Sequence, residues 1–145
     1  LIEKARVVSQ QHRVTYDSEP NTEAVVKEIA DIKQQFTQYG GARPFGVALM
    51  FGGFNGSPVL YTTDVSGSYL KYKANAIGEN DDKIKEKLRE RYKKDMTCEQ
   101  SIKLILDIFK EIQEKEFDIS KFDAGVIKED KKLQKISGKD LEKYA

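Results

Sequence analysis

The chain offers few side chains that could act as a nucleophile or a general base. His12 is its one histidine and Cys98 its one cysteine. A Ser-His-Asp arrangement would need His12 as the base and a carboxylate to orient the ring. His12 falls on the apolar face of a predicted helix, and the sequence supplies no orienting partner. We interpret it as a partly buried structural histidine.

The sequence does not predict a metal site. Zinc needs about four ligands at recognisable spacing, and a single cysteine and a single histidine do not supply them. Glu79, Asp81 and Asp82 form an acidic cluster that could bind a cation, but acidic residues also suit the positive start of a helix. Cys98 lies near another helix start, where we expect a small packed side chain rather than a reactive thiol.

Neither of two further motifs indicates a cofactor or a nucleic-acid site. The glycine-rich residues 52–56 lack the following Lys-Ser/Thr of a phosphate loop, and a strand rather than a helix comes next. The basic run of residues 128–135 is interrupted by Glu129 and Asp130, which favours a solvated hairpin. We therefore expect the protein to work without a cofactor.

Arg43 is a candidate for recognition rather than catalysis. It lies between Gly40-Gly41 and a predicted strand, and Pro44 restricts the backbone beside it. One interpretation is a bidentate contact to a carboxylate at a subunit boundary or a helix–sheet boundary. The other is an arginine on a surface loop. The sequence leaves both open.

Composition narrows the class of protein. The chain has 145 residues, 39% of them hydrophobic, which is enough for one domain with a core. Its formal charge of +1 gives no electrostatic case for nucleic acid or for an anionic membrane. Apolar runs such as residues 47–51 are too short to span a bilayer. A lone cysteine suits a reducing compartment, so we expect a cytoplasmic protein.

Two helices are predicted to position the first half of the chain. Leu1, Ala5, Val8 and His12 share one face of residues 1–16. A second helix begins after the capping residue Asn21 and ends at Gly40-Gly41, because glycine tolerates the left-handed geometry that closes a helix. Its apolar stripe is Val25, Ile29, Ile32 and Phe36. The residues predicted to lie largely off that stripe are Lys27, Glu28, Asp31 and Lys33.

Strands follow in a group. Residues 45–54 are a nearly continuous apolar run, which predicts a strand buried on both faces. The turn at residues 55–58 and a strand at 59–63 make a hairpin. A second turn covers residues 64–67, and further short strands are predicted within 68–77.

The second half is predicted to contain two more helices, two strands and a short terminal helix. Asp81-Asp82 opens the third helix, and Thr97 with Gln100 forms a capping box for the fourth. The fourth helix is expected to bury an apolar face made of Ile102, Ile105, Leu106, Phe109 and Ile112. Leu104 and Ile108 widen this apolar face, so two layers are expected to cover the helix. Strands are predicted at 122–128 and 132–136, and a helix at 137–144. Grouped strands with paired helices indicate an α+β fold.

Four segments together resemble one family, the proteasome α-type subunits. They are DIKQQFTQ at 31–38, QYGGARPFGV at 38–47, LYTTDVSG at 60–67 and YKANAIG at 72–78. Their order and spacing match the family, and the resemblance covers the whole chain in a simple, archaeal-like form. Val65 replaces the usual proline of the Asp-Pro-Ser-Gly turn, which the flanking residues can still form. The structural or interface candidates are Gly40, Gly41, Arg43, Pro44, Asp64, Gly67 and Gly78.

The resemblance implies a fold and a function. The fold is a four-layer α/β/β/α sandwich of the N-terminal-nucleophile hydrolase type. The function is to build a heptameric α ring, stacked on a β ring, that gates substrate entry for protein degradation. Implied partners are other α subunits, β subunits, ATPase activators and unfolded proteins in transit, and residues 1–39 would face the β ring.

The resemblance also bears on catalysis. Catalytic β subunits of the family use an N-terminal threonine, whose own amino group activates a hydroxyl too weak to attack unaided. Leu1 opens this chain, and Thr62 and Thr63 fall in a predicted strand and turn. We therefore expect no catalytic residue. Two alternatives stay open: a β-like threonine protease subunit, and a stand-alone binding module with the same fold.

The start of the chain is unusual. Leu1 is followed by no helix-start signal, so the sequence reads as though it begins inside a helix. By resemblance, the gate segment and the lysine of the activator pocket would lie upstream of Leu1. We expect that an N-terminal part of the sandwich is missing here. The strands near 122–128 and 132–136 would otherwise pair with strands from that part.

Overall fold

A computed structural model describes residues 1–130 and 132–145 and divides the chain into two compact units, Leu1–Lys73 and Ala74–Ala145. Both units combine α-helices with an antiparallel sheet, so the predicted α+β class is confirmed. Within the described part of the chain, no helix combines the length and apolarity needed to cross a membrane.

Two helices open the first unit: α1 (Ile2–Tyr16) and α2 (Thr22–Gln38). Asn21 caps α2 as predicted, because its side-chain oxygen accepts from the backbone N–H of Glu23 at 2.9 Å. The end of α2 was predicted at Gly40-Gly41 and lies two residues earlier, at Gln38. Tyr39 is extended there, and the residue with left-handed φ is Gly41.

Three antiparallel strands follow in the order β1 (Leu49–Phe54), β2 (Pro58–Thr63) and β3 (Tyr69–Tyr72). The predicted hairpin is confirmed, with Phe54 opposite Pro58 and Leu49 opposite Thr63. At its turn, the side-chain oxygen of Asn55 accepts from the backbone N–H of Thr22, at the start of α2. The hairpin turn is therefore tied to the first turn of the helix.

The prediction for β1 was wrong in two respects. The strand begins at Leu49 rather than Phe45, and residues 42–48 form no strand. It is not buried on both faces either, since Met50 is 38% exposed. Among the described residues β1 pairs with β2 alone, so it is an edge strand of a sheet whose core face packs on α2. An apolar run cannot distinguish this position from a central strand.

The core of the first unit lies between α2 and the sheet. Val26 contacts Val59 and Tyr61, and all three are buried, with Phe51 and Tyr69 packed against them. The helix buries Val25, Val26, Ile29, Ala30 and Lys33. The prediction that Lys33 lies off the buried face was therefore wrong.

The second unit contains α3 (Asp81–Arg91), α4 (Cys98–Gln113), β4 (Ala124–Ile127), β5 (Leu133–Ile136) and the short α5 (Gly138–Leu141). The predicted capping box of α4 is confirmed. Thr97 Oγ1 accepts from the N–H of Gln100 at 3.2 Å, and Gln100 Oε1 accepts from the N–H of Thr97 at 2.9 Å. Ser137 precedes α5 as predicted, but its side chain makes no capping bond to the backbone.

Helix α4 is covered on two sides, as its wide apolar arc predicts. Ile108 packs with Ile84 and Leu88 of α3. Leu106 packs with Ile136 of β5 and Leu141 of α5. Ile105, which was predicted to be buried, is 45% exposed. Two opposing layers pack on opposite sides of the helix, and Ile105 lies outside both contact sets.

Strands β4 and β5 pair with each other in an antiparallel sheet, from Ala124 opposite Ile136 to Ile127 opposite Leu133. Both are shorter than predicted. The residues joining them are exposed at 128–130 and 132. Lys131, part of the basic run predicted to be a solvated hairpin, lies outside the described residues. A two-stranded sheet is marginal alone, so its contacts with Leu106 and Leu141 hold it in place.

Glu114 follows α4 with φ 47° and ψ −110°, a backbone conformation that L-residues rarely adopt. We expect Glu114→Gly to be more stable than Lys115→Gly by about 1 kcal/mol or more, because only the first change relieves strain. Lys115 is the matched control, since it is also exposed and its φ is not positive. Urea unfolding of both variants measures the difference. Equal losses of stability would contradict the assignment of strain to Glu114.

Candidate functional site

A buried lysine lies at the centre of the first unit. Lys33 Nζ donates to the backbone carbonyl of Val47 at 2.7 Å and to Thr63 Oγ1 at 3.0 Å. Lys33 and Thr63 are both 0% exposed. The ammonium therefore ties α2 to the end of β2 and to the segment that precedes β1.

Burial lowers the pKa of Lys33, because removal from water disfavours the charged form. The nearby Asp64 carboxylate acts in the opposite direction and raises that pKa. Both hydrogen-bonding partners of Nζ are oxygen acceptors, so the contacts suit a donating ammonium. This side chain holds structure together and is closed to solvent.

Asp64 organises the turn between β2 and β3, as its motif predicts. Its Oδ1 accepts from Ser66 Oγ at 2.7 Å, from the Ser66 N–H at 2.9 Å and from the Ser68 N–H at 3.0 Å. The Ser66 hydroxyl is the main cause that lowers the pKa of Asp64, and backbone N–H groups add to it. The stabilisation from this turn is present at neutral pH and is lost as the pH falls through the lowered pKa.

Gly67 brings the same turn against α2. It has φ 91°, and a Cβ at this position would lie 2.5 Å from the carbonyl oxygen of Ala30 and 2.8 Å from the backbone nitrogen of Gln34. No other residue type allows so close an approach to the helix backbone. Val65, which stands where the family usually has proline, is 51% exposed and does not enter this contact.

The four predicted site residues that follow α2 are exposed: Gly40, Gly41, Arg43 and Pro44. Phe36 of α2 packs against Phe45 with ring centroids 4.6 Å apart and ring planes tilted by 59°, which holds the segment beyond Arg43 to the helix. Within residues 1–130 and 132–145, Arg43 has no hydrogen bond or ion pair. A carboxylate contact at a helix–sheet boundary, one of the two locations predicted for such a contact, is therefore not seen in the described part of the chain.

Six of the seven predicted residues thus lie in the first unit, in two segments that adjoin α2. Gly78 belongs to the second unit, where its carbonyl accepts from the N–H of Asp81 at 3.3 Å and begins α3. Sequence reasoning missed Lys33, which joins those two segments. The signal was present, because Val26, Ala30 and Lys33 recur at helical spacing on the buried face.

The residues considered for catalysis occupy structural positions. Thr62 and Thr63 lie in β2, and Thr63 is closed to solvent. His12 is half-buried, its Nδ1 lies 3.0 Å from the carbonyl oxygen of Ser18, and its ring packs on Tyr16. Cys98 was expected to pack beneath the helix, which was wrong: it is exposed, because the first residue of α4 faces solvent.

Acidic residues do not converge on a cation site. Asp81 and Asp82 lie in the first turn of α3, and Asp81 pairs with Lys85 at 2.6 Å. Over the residues that the structure describes, no three His, Cys, Asp or Glu side chains are grouped to hold a metal ion. The acidic cluster around residue 80 is therefore the charged start of a helix.

A groove of about 580 Å³ runs between α1, the start of α2 and β1. Ala5, Val25, Leu49 and Phe51 are among its lining residues. The hydroxyl of Ser9, which also lines it, donates to the carbonyl of Ala5. The groove therefore resembles a packing surface more than a site for bond cleavage.

We expect Gly67→Ala to cost about 3 kcal/mol of unfolding free energy, since its methyl group would meet helix backbone that cannot move aside. Gly41→Ala is the matched control. Gly41 has φ 86° but open space around its Cβ position, so only the backbone cost of about 1 kcal/mol applies. Thermal unfolding of the two variants measures the contrast. A Gly67→Ala variant as stable as Gly41→Ala would refute the close packing of the turn on α2.

Comparison with known proteins tests the resemblance. The family model described as proteasome subunit matches residues 1–127. Three proteins named proteasome subunit alpha are similar over 99% of this chain. They are 42% identical in Pyrococcus horikoshii, 40% in Methanosarcina acetivorans and 37% in Archaeoglobus fulgidus.

The matched region covers 55% of the Pyrococcus horikoshii protein and 59% of the other two, so the chain spans little more than half the length of these relatives. The family match over most of the chain and the identities near 40% agree with the order of its four motifs. The chain belongs to the proteasome subunit family, and the three relatives named above are archaeal α subunits.

Proposed function

We propose that this chain acts as a non-catalytic α-type subunit of a proteasome core and builds the outer ring through which protein substrates enter. The observation that carries the proposal is its similarity to α subunits along 99% of its length. Its partners would be neighbouring α subunits, β subunits, ATPase activators and unfolded proteins in transit. It would act in the cytoplasm and use no cofactor.

The burial of Thr63 supports a non-catalytic role. A threonine nucleophile needs a nearby base and access to substrate. Thr63 has a lysine nitrogen at 3.0 Å, but both side chains are fully buried, and Nζ donates to the hydroxyl oxygen. An extended peptide could not reach this pair without unfolding of the unit.

The packing of helices on sheets within each unit supports the proposed four-layer sandwich. In the first unit α2 packs on one face of the antiparallel sheet, and in the second unit α4 packs on β5. A four-layer α/β/β/α sandwich requires this pairing of a helical layer with a sheet twice. This repeated pairing of helix and sheet is consistent with the proposed sandwich.

Exposed apolar side chains on α1 support a role in assembly. Val14 is 87% exposed and Tyr16 68% exposed, and Val7 is also exposed on this helix. Exposed apolar side chains on one element are typical of surfaces that another chain covers. We propose that α1 and α2 contact the β ring, as the family resemblance implies.

The test is assembly of the full-length subunit with the β subunit of the same organism. Native mass spectrometry and electron microscopy should show seven-membered rings that contain this chain. Subunits that stay monomeric with and without β subunits would overturn the proposal and favour a stand-alone binding module.

Catalysis can be tested separately on the assembled particle. An electrophile that traps N-terminal threonine should modify the β subunit and leave this chain unmodified, because Thr62 and Thr63 lie within β2 and have no free α-amino group beside them. Intact-mass measurement detects the adduct on each subunit. An adduct on this chain, with peptide cleavage by the isolated subunit, would instead support the β-like threonine protease.

A further inference from the structure

The charge distribution along the chain is uneven around Arg43. Charged residues make up 34% of the sequence, yet Arg43 is the only one between Gln34 and Thr63. The segment therefore combines an isolated cation with a long stretch of neutral residues. Charge depletion with retention of arginine and aromatic residues is the composition of the buried centre of a protein interface.

Much of this neutral segment faces outward. Tyr39 is 63% exposed, Val47 is 46% exposed and Phe36 is 37% exposed. These residues flank Arg43, which is itself exposed. A soluble surface normally dilutes apolar side chains with charges, so a charge-poor patch around one arginine indicates a surface that becomes covered.

The exposed patch around Arg43, formed with Phe36, Tyr39 and Val47, is anchored by contacts of its backbone and rings. Lys33 Nζ donates to the carbonyl of Val47, and the ring of Phe36 packs at a tilt against Phe45. At the other end, the N–H of Ala42 donates to the carbonyl of Tyr39 at 3.1 Å. The backbone around Arg43 therefore lies between fixed points, which reduces the entropy lost when a partner orders this loop.

Arg43 differs from most other arginines of the chain. Arg6, Arg13 and Arg91 form ion pairs with Glu3, Glu19 and Glu111. Across the described residues, Arg43 has no such pair. An unpaired guanidinium beside aromatic and aliphatic surface is complementary to a carboxylate that carries its own apolar surroundings.

We propose that Arg43 docks a carboxylate side chain of a neighbouring proteasome subunit, with Tyr39 and Val47 packing around the ion pair. This inference rests on the proposed function, since it needs a neighbouring subunit. The segment of residues 39–47 is then a recognition loop that α2 positions. Its ligand is an acidic residue in an apolar setting on the partner.

The first test compares assembly of the full-length subunit with sister subunits by native mass spectrometry across a concentration series. Arg43→Ala should raise the concentration for half-assembly about tenfold or more, because the partner's carboxylate is left buried and unpaired. The half-assembly concentration of Arg43→Lys should fall between those of wild type and Arg43→Ala, since an ammonium cannot make the two parallel hydrogen bonds of the guanidinium. Arg89→Ala is the control, because Arg89 is exposed on α3 among other charges.

A structural role for Arg43 predicts a different pattern. In that case Arg43→Ala would lower the thermal unfolding temperature of the unassembled subunit, whereas docking leaves it equal to that of Arg89→Ala. Half-assembly of Arg43→Ala at the concentration of wild type would overturn the inference and leave the proposed function intact. Failure of the wild-type subunit to assemble with any proteasome subunit would overturn both the inference and the proposed function.

The second test identifies the carboxylate. A carbodiimide joins a lysine ammonium to a touching carboxylate with loss of water, so Arg43→Lys can report the partner residue in the assembled particle. Peptide mass spectrometry should find Lys at position 43 linked to an Asp or Glu of another subunit. A link only to a carboxylate of its own chain, in a variant that assembles normally, would contradict the inference.

Discussion

A single buried ammonium determines how the first unit fits together. Lys33 projects from α2 into a site without solvent, where its two acceptors come from different segments, the Val47 carbonyl and the Thr63 hydroxyl. Burying such a group is costly unless its hydrogen bonds are made. The helix, the end of β2 and the chain before β1 therefore have to meet in one arrangement. The turn of Asp64 and Gly67, which rests on the same helix, follows from that placement.

Local patterns predicted local structure well. The capping box of Thr97 and Gln100 forms both of its bonds, and Asn21 caps α2. These features depend on residues three or fewer positions apart, so neighbouring residues suffice to specify them. The order of helices and strands followed from the same kind of signal.

Predictions that depended on tertiary neighbours were the ones that failed. Lys33 is buried because the sheet brings acceptors to it, and residue type alone argues against that. The apolar run of β1 does not reveal that one edge lacks a partner strand among the described residues. Ile105 and Ile108 have the same side chain, and only the positions of α3 and β5 decide which of them is covered. Most of the candidate residues came from family resemblance, whereas the support that six of them share on α2 became visible only in the folded chain.

Helix α2 is hydrogen-bonded to both ends of the β1–β2 hairpin. Its first residue, Thr22, contacts Asn55 at the turn, and Lys33 contacts Thr63, the last residue of β2. A slip of one residue between β1 and β2 would turn Val59 and Tyr61 toward solvent. It would also separate Thr63 from the lysine while Asn55 stayed at the helix start. Only one alignment of the strands satisfies both hydrogen-bonded contacts and the apolar face together, so the length of the helix between these contacts sets the register of the hairpin.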